Sequence, residues 1–121
     1  MDRRRLGAEA ETAARDFLVA RGLSPLLANY RCRFGELDLV LREGSALVVV
    51  EVRRRSSTRF GGARASIDAR KRRRIALATH HLLLTHPGLR SLPIRFDVVA
   101  IDAAAPTPGI EWIRAAFTSE T

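Results

Sequence analysis

The sequence predicts an α/β fold with the element order α-β-β-β-α-β-β. Two segments carry apolar residues at the spacing of an amphipathic helix, and five shorter segments carry the alternating or valine-rich patterns of strands. At 121 residues, of which 46% are hydrophobic and 28% charged, the chain is long enough to bury one core. It is too short for a second catalytic module, so we expect a single domain spanning residues 1–121.

The N-terminal part predicts a helix and a short strand. From about Leu6 to Arg21, apolar residues recur at spacings of three and four, and Gly22 is suited to ending a helix there. The segment Ser24–Tyr30 then predicts the first strand.

The middle of the chain predicts a β hairpin. Glu36–Arg42 alternates leucine with charged and other residues, Ala46–Arg53 is rich in valine, and Glu43-Gly44 predicts the turn between them. Side chains alternate between the two faces of a strand, so the leucines and valines form one apolar face that we expect to be core. That face carries Leu37, Leu39, Leu41, Val48, Val50 and Val52.

The last third of the chain predicts a helix and two strands. Ser56–Arg64 is rich in serine and glycine and predicts a loop. A helix begins near Ser66 or Asp68 and ends at Leu84, before a His-Pro-Gly sequence, with its apolar residues facing inward. The two strands, on either side of a proline-containing loop, are Ile94–Ile101 and Ile110–Phe117.

The second face of the hairpin gathers three carboxylates and a guanidinium, from Glu36, Asp38, Glu51 and Arg53. If the strands close symmetrically about the turn, Glu36 faces Glu51, and Asp38 and Glu51 are diagonal neighbours with Cβ atoms within roughly 8 Å. Like charges at this separation repel each other, so the cluster favours a bound cation.

Two interpretations of this charged face are open. Mg²⁺ usually takes one or two protein carboxylates together with waters and phosphate oxygens, and Asp38, Glu51 and the Val52 carbonyl can supply such ligands. Alternatively, the face is solvated, and Arg42 and Arg53 neutralise its acids without a metal.

The charge balance indicates a polyanionic partner. The chain has 21 Lys and Arg residues against 13 Asp and Glu residues, a formal net charge of +8. This excess favours nucleic acid or an anionic membrane surface, but the basic residues do not lie on one long amphipathic helix, so we expect no membrane binding. The predicted nucleic-acid contacts are Arg54, Arg55, Arg70, Arg72, Arg73 and Arg74.

Two further features indicate the compartment. No apolar run approaches the roughly 20 residues that span a bilayer. The single cysteine, Cys32, excludes an internal disulfide framework and fits a reducing environment. We therefore expect a cytoplasmic protein.

Short motifs spread over nearly the whole chain resemble those of a known family. They are Gly7 and Glu11, Gly22, Asn29, Gly35–Val40, Val50–Arg55, Phe60-Gly61, Lys71 and Arg95–Val99. Their combination resembles the small bacterial proteins typified by YraN. The pattern of that family is similar to the PD-(D/E)XK nuclease superfamily and, more distantly, to archaeal Holliday-junction resolvases.

The resemblance implies a restriction-endonuclease-like core, with a mixed central sheet flanked by helices. By this resemblance Asp38 matches the first aspartate of the superfamily, Glu51 the acid of its second half-motif, and Arg53 a position usually held by lysine. Glu11 matches the helix-one acid of resolvase-like members, and Lys71 matches a family motif position. The implied protein is a Mg²⁺- or Mn²⁺-dependent endonuclease acting on DNA, branched or structured DNA included, and its resolvase-like relatives imply a homodimer.

Three residues leave roles open. Arg53 stays protonated and cannot accept a proton as lysine does, so the chain is alternatively a nucleic-acid-binding module with a nuclease fold and little or no turnover. Lys71, the one lysine, lies in a run of five cations and either faces the metal site or contacts phosphate. Asp97 lies on a predicted strand, where we expect a buried structural partner of Arg95 or Lys71 rather than a ligand.

Overall fold

The computed structural model describes residues 3–55, 67–102 and 109–118. Within these ranges the chain forms two helices and five strands in the predicted order, with a short 3₁₀ turn after the second helix. The elements are α1 (Arg3–Val19), β1 (Ser24–Cys32), β2 (Gly35–Glu43), β3 (Ala46–Arg55), α2 (Ala69–Thr85), β4 (Ile94–Asp102) and β5 (Gly109–Phe117). The predicted loop Ser56–Arg64 and most of the proline-containing loop lie outside the described residues.

The strands form a mixed sheet in the order β1-β2-β3-β4-β5. Strands β3 and β4 are parallel, and the other neighbours are antiparallel. A parallel pair cannot be joined by a tight turn, and α2 lies in the connection between these two strands. The mixed sheet confirms the predicted fold class and element order.

The two helices pack on opposite faces of the sheet. Alternate residues of β3 separate the two cores, because Val48 and Val50 join the α1 cluster whereas Leu47 and Val49 join the α2 cluster. The inward residues of the helices are Ala10, Ala14 and Leu18 in α1, and Ile75, Ala78 and Leu82 in α2. The prediction that one hairpin face alone is core is wrong, since both faces of β2 and β3 are covered.

Leu37 does not share a face with the other two leucines of β2. It packs in the α2 cluster with Val40, whereas Leu39 and Leu41 pack in the α1 cluster. Regular alternation would place Leu37 and Val40, which are three residues apart, on opposite faces. The strand therefore turns over at Asp38, which lies between the two sets.

The hairpin register also differs from the predicted one. The turn is Gly44-Ser45, since Glu43 pairs directly with Ala46. Gly44 has φ 58°, a conformation that glycine adopts without steric cost, and this lets the chain reverse one residue later than predicted. Each residue's partner shifts by two positions, which keeps every side chain on its face but brings Asp38 opposite Glu51.

Candidate active site

The β2–β3 ladder opens at Asp38. Backbone pairing between the two strands runs from the turn as far as Leu39 and Val50. Just beyond it, Asp38 Oδ2 accepts a hydrogen bond from the backbone N–H of Val52 at 2.9 Å, so a carboxylate takes the place of a strand partner. The N–H and C=O of one residue in an antiparallel ladder point to the same edge, which directs the Val52 carbonyl toward Asp38 as well.

Glu51 lies beside Asp38, on the sheet face that α2 covers. Its side chain is 5% exposed, and its Oε1 is 3.0 Å from the Nζ of Lys71. The Nη1 of Arg53 is 3.9 Å from the same oxygen. The Glu51 carboxylate thus lies between two cations, one from the helix and one from its own strand.

The carboxyls of Asp38 and Glu51 are close enough for each to change the pKa of the other. Burial, followed by the charge of Asp38, raises the pKa of Glu51 to about 8, although the Lys71 ammonium opposes the shift. Burial also raises the pKa of Asp38, against the hydrogen bond from Val52. At neutral pH the pair therefore holds a proton on Glu51, and a divalent cation that binds both carboxylates would displace it.

The first turn of α2 presents Lys71 to the carboxylates. Asp68 caps this helix, and its Oδ1 accepts a hydrogen bond from the backbone N–H of Lys71 at 2.8 Å. The cap fixes where the helix begins and so fixes the direction in which its first side chains leave the backbone. Of the two roles left open for Lys71, the structure places it at the Glu51 carboxylate.

Glu11 approaches the same region from the opposite face of the sheet. It lines a polar groove of about 460 Å³ between α1 and the β1–β2 hairpin, with Asn29 and Glu36 among the other lining residues. Burial raises the pKa of Glu11, and the charges of Asp38 and Glu36 raise it further, whereas a hydrogen bond with the Asn29 side chain lowers it. The helix-one acid is thus within electrostatic reach of Asp38.

Glu36 does not face Glu51, and the prediction that it does is wrong. Its partner across the ladder is Arg31 of β1, with which it also forms an ion pair at 3.5 Å. The reason is that β2 is an inner strand with neighbours on both sides, and at Glu36 the ladder with β3 has already opened. Glu36 therefore acts on the site through its charge, from the groove side.

These side chains fit a small divalent cation of the Mg²⁺ type. In the part of the chain that the structure describes, no group of three or more His, Cys, Asp and Glu side chains is arranged to hold a metal. Mg²⁺ needs fewer, because it keeps several waters and binds through one or two carboxylates. Asp38 and Glu51 are such a pair of adjoining acids, and burial raises the pKa of both.

Comparison with known proteins assigns the chain to a family. Residues 10–101 match the model of the Uncharacterised protein family UPF0102. A UPF0102 protein of Xanthomonas euvesicatoria is 51% identical over 118 residues, which cover 98% of this chain and 95% of the relative. The chain belongs to the UPF0102 family.

UPF0102 relatives from other bacteria show the same extent of similarity. A UPF0102 protein of Methylobacillus flagellatus is 46% identical over 116 residues, covering 96% of this chain and 99% of that protein. One from Saccharophagus degradans is 48% identical over 112 residues, covering 93% and 92% of the two chains. The similarity to UPF0102 proteins thus runs through both helices and all the strands of the sheet.

The arginine run of α2 does not form one surface in the UPF0102 chain. Arg70, Arg73 and Arg74 are exposed and lie at the i, i+3, i+4 spacing of one helix face. Arg72 is half-buried, and its Nε is buried without a hydrogen-bond partner among the described residues. Arg54 is exposed at the end of β3, and the side chain of Arg55 lies outside the described part of the chain. None of the described helices is long and apolar enough to cross a membrane.

The β1–β2 turn adds two basic residues that the sequence patterns did not single out. Arg31 and Arg33 are exposed on either side of Cys32, and the Arg33 guanidinium lies 4.8 Å from the centre of the Phe34 ring. The turn packs against α2, since a Cβ added to Gly35 would lie 3.7 Å from the Cβ of Arg74. In the sequence these arginines are separated from α2 by two strands, and no local pattern connects them.

Asp97 is structural in the UPF0102 chain, as predicted. It is fully buried and accepts hydrogen bonds at 2.9 Å from two guanidinium nitrogens of Arg95, from Trp112 Nε1 and from the Ala115 backbone N–H. Its partner is therefore Arg95 and not Lys71. Arg95 also reaches Glu43, whose pKa is lowered by hydrogen bonds from Arg114 and Arg95. This network ties the end of β2 to β4 and β5.

Proposed function

We propose that the UPF0102 chain is a Mg²⁺- or Mn²⁺-dependent endonuclease that hydrolyses phosphodiester bonds in DNA, branched or structured DNA included. The observation that carries the proposal is the placement of Asp38, Glu51 and Lys71 around one point where the ladder is open. Two adjoining carboxylates can hold a divalent cation, and an ammonium beside them can stabilise the charge that develops during phosphodiester hydrolysis.

The fold supports this proposal. A mixed sheet with a helix on each face, in the order α-β-β-β-α-β-β, agrees with the restriction-endonuclease-like core that the sequence motifs resemble. Many functions share one fold, so the fold adds support only together with the site.

Each side chain has a distinct role in the proposed reaction. Asp38, Glu51 and the Val52 carbonyl would hold the cation, which when bound polarises a phosphoryl oxygen and acidifies a water. Lys71 would donate hydrogen bonds to the phosphoryl oxygens, where negative charge develops. As a lysine it can also exchange a proton. Arg53 stays protonated and would contribute charge alone.

The exposed arginines would hold the nucleic-acid backbone. Arg70, Arg73 and Arg74 form one face of α2, and the β1–β2 turn with Arg33 packs beside them. Side chains of this kind neutralise phosphates and release condensed counterions, which gives affinity without base preference. In the proposal this surface orients DNA, and Asp38 and Glu51 act on its backbone.

A second candidate function is a nucleic-acid-binding module with little or no turnover. The observation that favours it is the 3.0 Å ion pair of Lys71 with Glu51, since an ammonium there supplies the positive charge that a metal would supply. In this module Arg53 and Lys71 offset the charge of the acids without a metal, and the arginine surface alone is functional.

Cleavage of junction, flap and single-stranded DNA by the purified protein, with Mg²⁺ or Mn²⁺, tests both candidates. The endonuclease predicts metal-dependent cleavage that is lost in Asp38→Asn and kept in Asp16→Asn, a change at an exposed helix acid. Binding without cleavage in the wild type supports the module instead. A protein that neither binds nor cleaves these substrates would contradict both candidates. Matched RNA substrates show whether DNA or RNA is preferred.

The proposal includes a homodimer, which the resemblance to resolvases implies. The sheet has two edge strands, β1 and β5, through which a second copy can extend it. Sedimentation of the free protein and of its DNA complex measures the stoichiometry, and a single copy in both would remove the dimer from the proposal.

A further inference from the structure

Asn29, Asp38 and Glu51 lie in one row across three strands. The β1–β2 pairs Ala28 with Leu39 and Tyr30 with Leu37 place Asn29 opposite Asp38. The β2–β3 register, continued one residue past Leu39 and Val50, places Asp38 opposite Glu51. An asparagine on the edge strand is therefore the next residue in the row that holds the two carboxylates.

Asn29 has an unusual backbone conformation for a strand residue. Its φ is 54°, in the left-handed region that costs most residues free energy and that asparagine tolerates better than others. Leu27 and Tyr30, three residues apart, both pack toward the α2 cluster, which regular alternation does not allow. The strand turns over at Asn29, beside the similar turn of β2 at Asp38.

The side chain of Asn29 lies beside the acid of α1. Asn29 and Glu11 line the same polar groove, where a hydrogen bond with the Asn29 side chain lowers the pKa of Glu11. The charges of Asp38 and Glu36 act against the ionised form of Glu11, so the carboxylate is repelled from the position that it occupies. The amide N–H of Asn29 is a hydrogen-bond donor, so it can hold the carboxylate in this position.

We propose that Asn29 is a positioning residue, which fixes the Glu11 carboxylate in the groove beside Asp38 so that Glu11 can accept a hydrogen bond from the water that attacks the phosphate. The left-handed backbone of Asn29 serves this role. At this residue β1 changes the face to which its side chains point, and this places the amide next to α1. This inference rests on the proposed endonuclease and extends it from the open ladder to the groove on the α1 face.

A double-mutant cycle between Asn29 and Glu11 tests the inference. Asn29→Gly removes the amide but keeps a residue that adopts positive φ without strain, which makes it preferable to Asn29→Ala. We expect it to lower kcat for DNA cleavage about tenfold, the typical effect of losing one hydrogen bond to a charged group, while KM and Tm change little. In a Glu11→Gln background Asn29→Gly should have no further effect.

Two outcomes of the cycle overturn the proposal. If Asn29→Gly leaves kcat unchanged in the wild-type background, the amide has no role in the reaction. If it lowers kcat equally with and without Glu11→Gln, Asn29 supports the fold or the substrate directly and does not act through Glu11. Asn29→Asp, which keeps the shape but adds a negative charge, should lower kcat at least as much as Asn29→Gly.

A second measurement separates this inference from the proposed function. The ¹⁵N and ¹H signals of the Asn29 side-chain amide should shift in Glu11→Gln and stay in place in Asp16→Asn. An unshifted amide in Glu11→Gln overturns the positioning contact even in an active enzyme. If the wild type cleaves no DNA, the endonuclease is contradicted, and the amide signal still shows whether Asn29 holds Glu11.

Discussion

The ammonium of Lys71 lies 3.0 Å from the carboxylate of Glu51, although the two residues are separated by the end of β3 and the whole connection to α2. The helix cap at Asp68 and the buried position of Glu51 both fix this contact. An acid that is 5% exposed, beside a second acid, is costly to ionise, and Lys71 offsets only part of that cost. The site therefore carries a free-energy penalty that substitutions, pH and metals should change in predictable directions.

The first prediction concerns pH and the stability of the metal-free protein. Because the pKa of folded Glu51 is about 8, the folded state binds more protons than the unfolded chain between roughly pH 4.5 and 8. The free energy of unfolding attributable to this group therefore falls as the pH rises through that window. Glu51→Gln, which stays neutral, should be more stable than the wild type by roughly 4 to 5 kcal/mol at pH 8.5 and by less than about 1 kcal/mol at pH 5.

Urea denaturation in EDTA at the two pH values measures this difference. Asp16→Asn, at an exposed acid, serves as the control and should follow the wild type at both. A Glu51→Gln variant that is equally stable or less stable at pH 8.5 would show that the ionised carboxylate is not strained.

The second prediction is that divalent cations stabilise the wild type. At ten times the dissociation constant, a ligand that binds only the folded state adds about 1.4 kcal/mol, or a few degrees in Tm. The shift should be larger at pH 8 than at pH 6, since binding must displace the proton that Glu51 holds. Asp38→Asn and Glu51→Gln should lose the shift, and Asp97→Asn should keep it. Differential scanning fluorimetry with Mg²⁺ and Mn²⁺ measures all four proteins.

The third prediction separates the two cations beside Glu51. Lys71→Ala should lower kcat for cleavage by about a hundredfold, the usual effect of removing one group that stabilises developing charge. Arg90→Ala, at an exposed residue beyond the end of α2, should change kcat little. Compared with Lys71→Ala, Lys71→Arg should recover part of the rate if Lys71 acts only through its positive charge. It should recover none if Lys71 exchanges a proton in the reaction. Single-turnover rates give the comparison, and an unaffected Lys71→Ala enzyme would transfer the role to Arg53.

The fourth prediction concerns DNA binding by the exposed face of α2. Replacing Arg70, Arg73 and Arg74 with alanine should weaken binding to all DNA sequences about equally. If each contacts a phosphate, the slope of log affinity against log salt should flatten by about 2.7. In the control variant, Arg21, Arg42 and Arg90 are replaced with alanine, which removes the same amount of charge at other positions. Fluorescence anisotropy across a salt series decides, and equal effects of the two triple variants would contradict a specific surface.

The fifth prediction concerns the network around Asp97. Asp97→Asn removes the charge that two guanidinium hydrogen bonds require and leaves Arg95 partly unpaired. Removing one partner of a buried ion pair typically lowers the free energy of unfolding by about 3 kcal/mol or more. Thermal unfolding should show this loss, whereas metal binding at Asp38 should be unchanged. Loss of metal binding in a folded variant would make Asp97 part of the site.

Local patterns predicted much of the fold. The helical spacing of α1 and α2 and the alternation in β2 and β3 placed these elements within a few residues of their observed bounds. The predicted hairpin register was wrong because the sequence pattern does not show which residues form the turn. The chain reverses at Gly44-Ser45, where Gly44 adopts a positive φ. The face of Leu37 could not be predicted, since β2 departs from regular alternation at Asp38 and no local pattern marks that point.

The candidate site was predicted in part. Asp38, Glu51 and Val52 are close in the hairpin, so two local strands sufficed to place them together. The contact of Lys71 with Glu51 depends on how α2 returns over the sheet, and the pairing of Glu36 with Arg31 depends on β2 having β1 on its other side. Both are tertiary facts that a pattern within one hairpin does not contain.

The opening of the ladder at Asp38 gives the sheet an edge in its interior. Unpaired strand edges normally lie at the periphery, where they are mobile and prone to join other chains. Here the gap lies between two inner strands of a sheet that packs against a helix on each face. The amide proton of Val52 is hydrogen-bonded to a side-chain carboxylate instead of a strand carbonyl, so its behaviour depends on the state of that carboxylate. We expect its rate of exchange with solvent to change with the charge on Asp38.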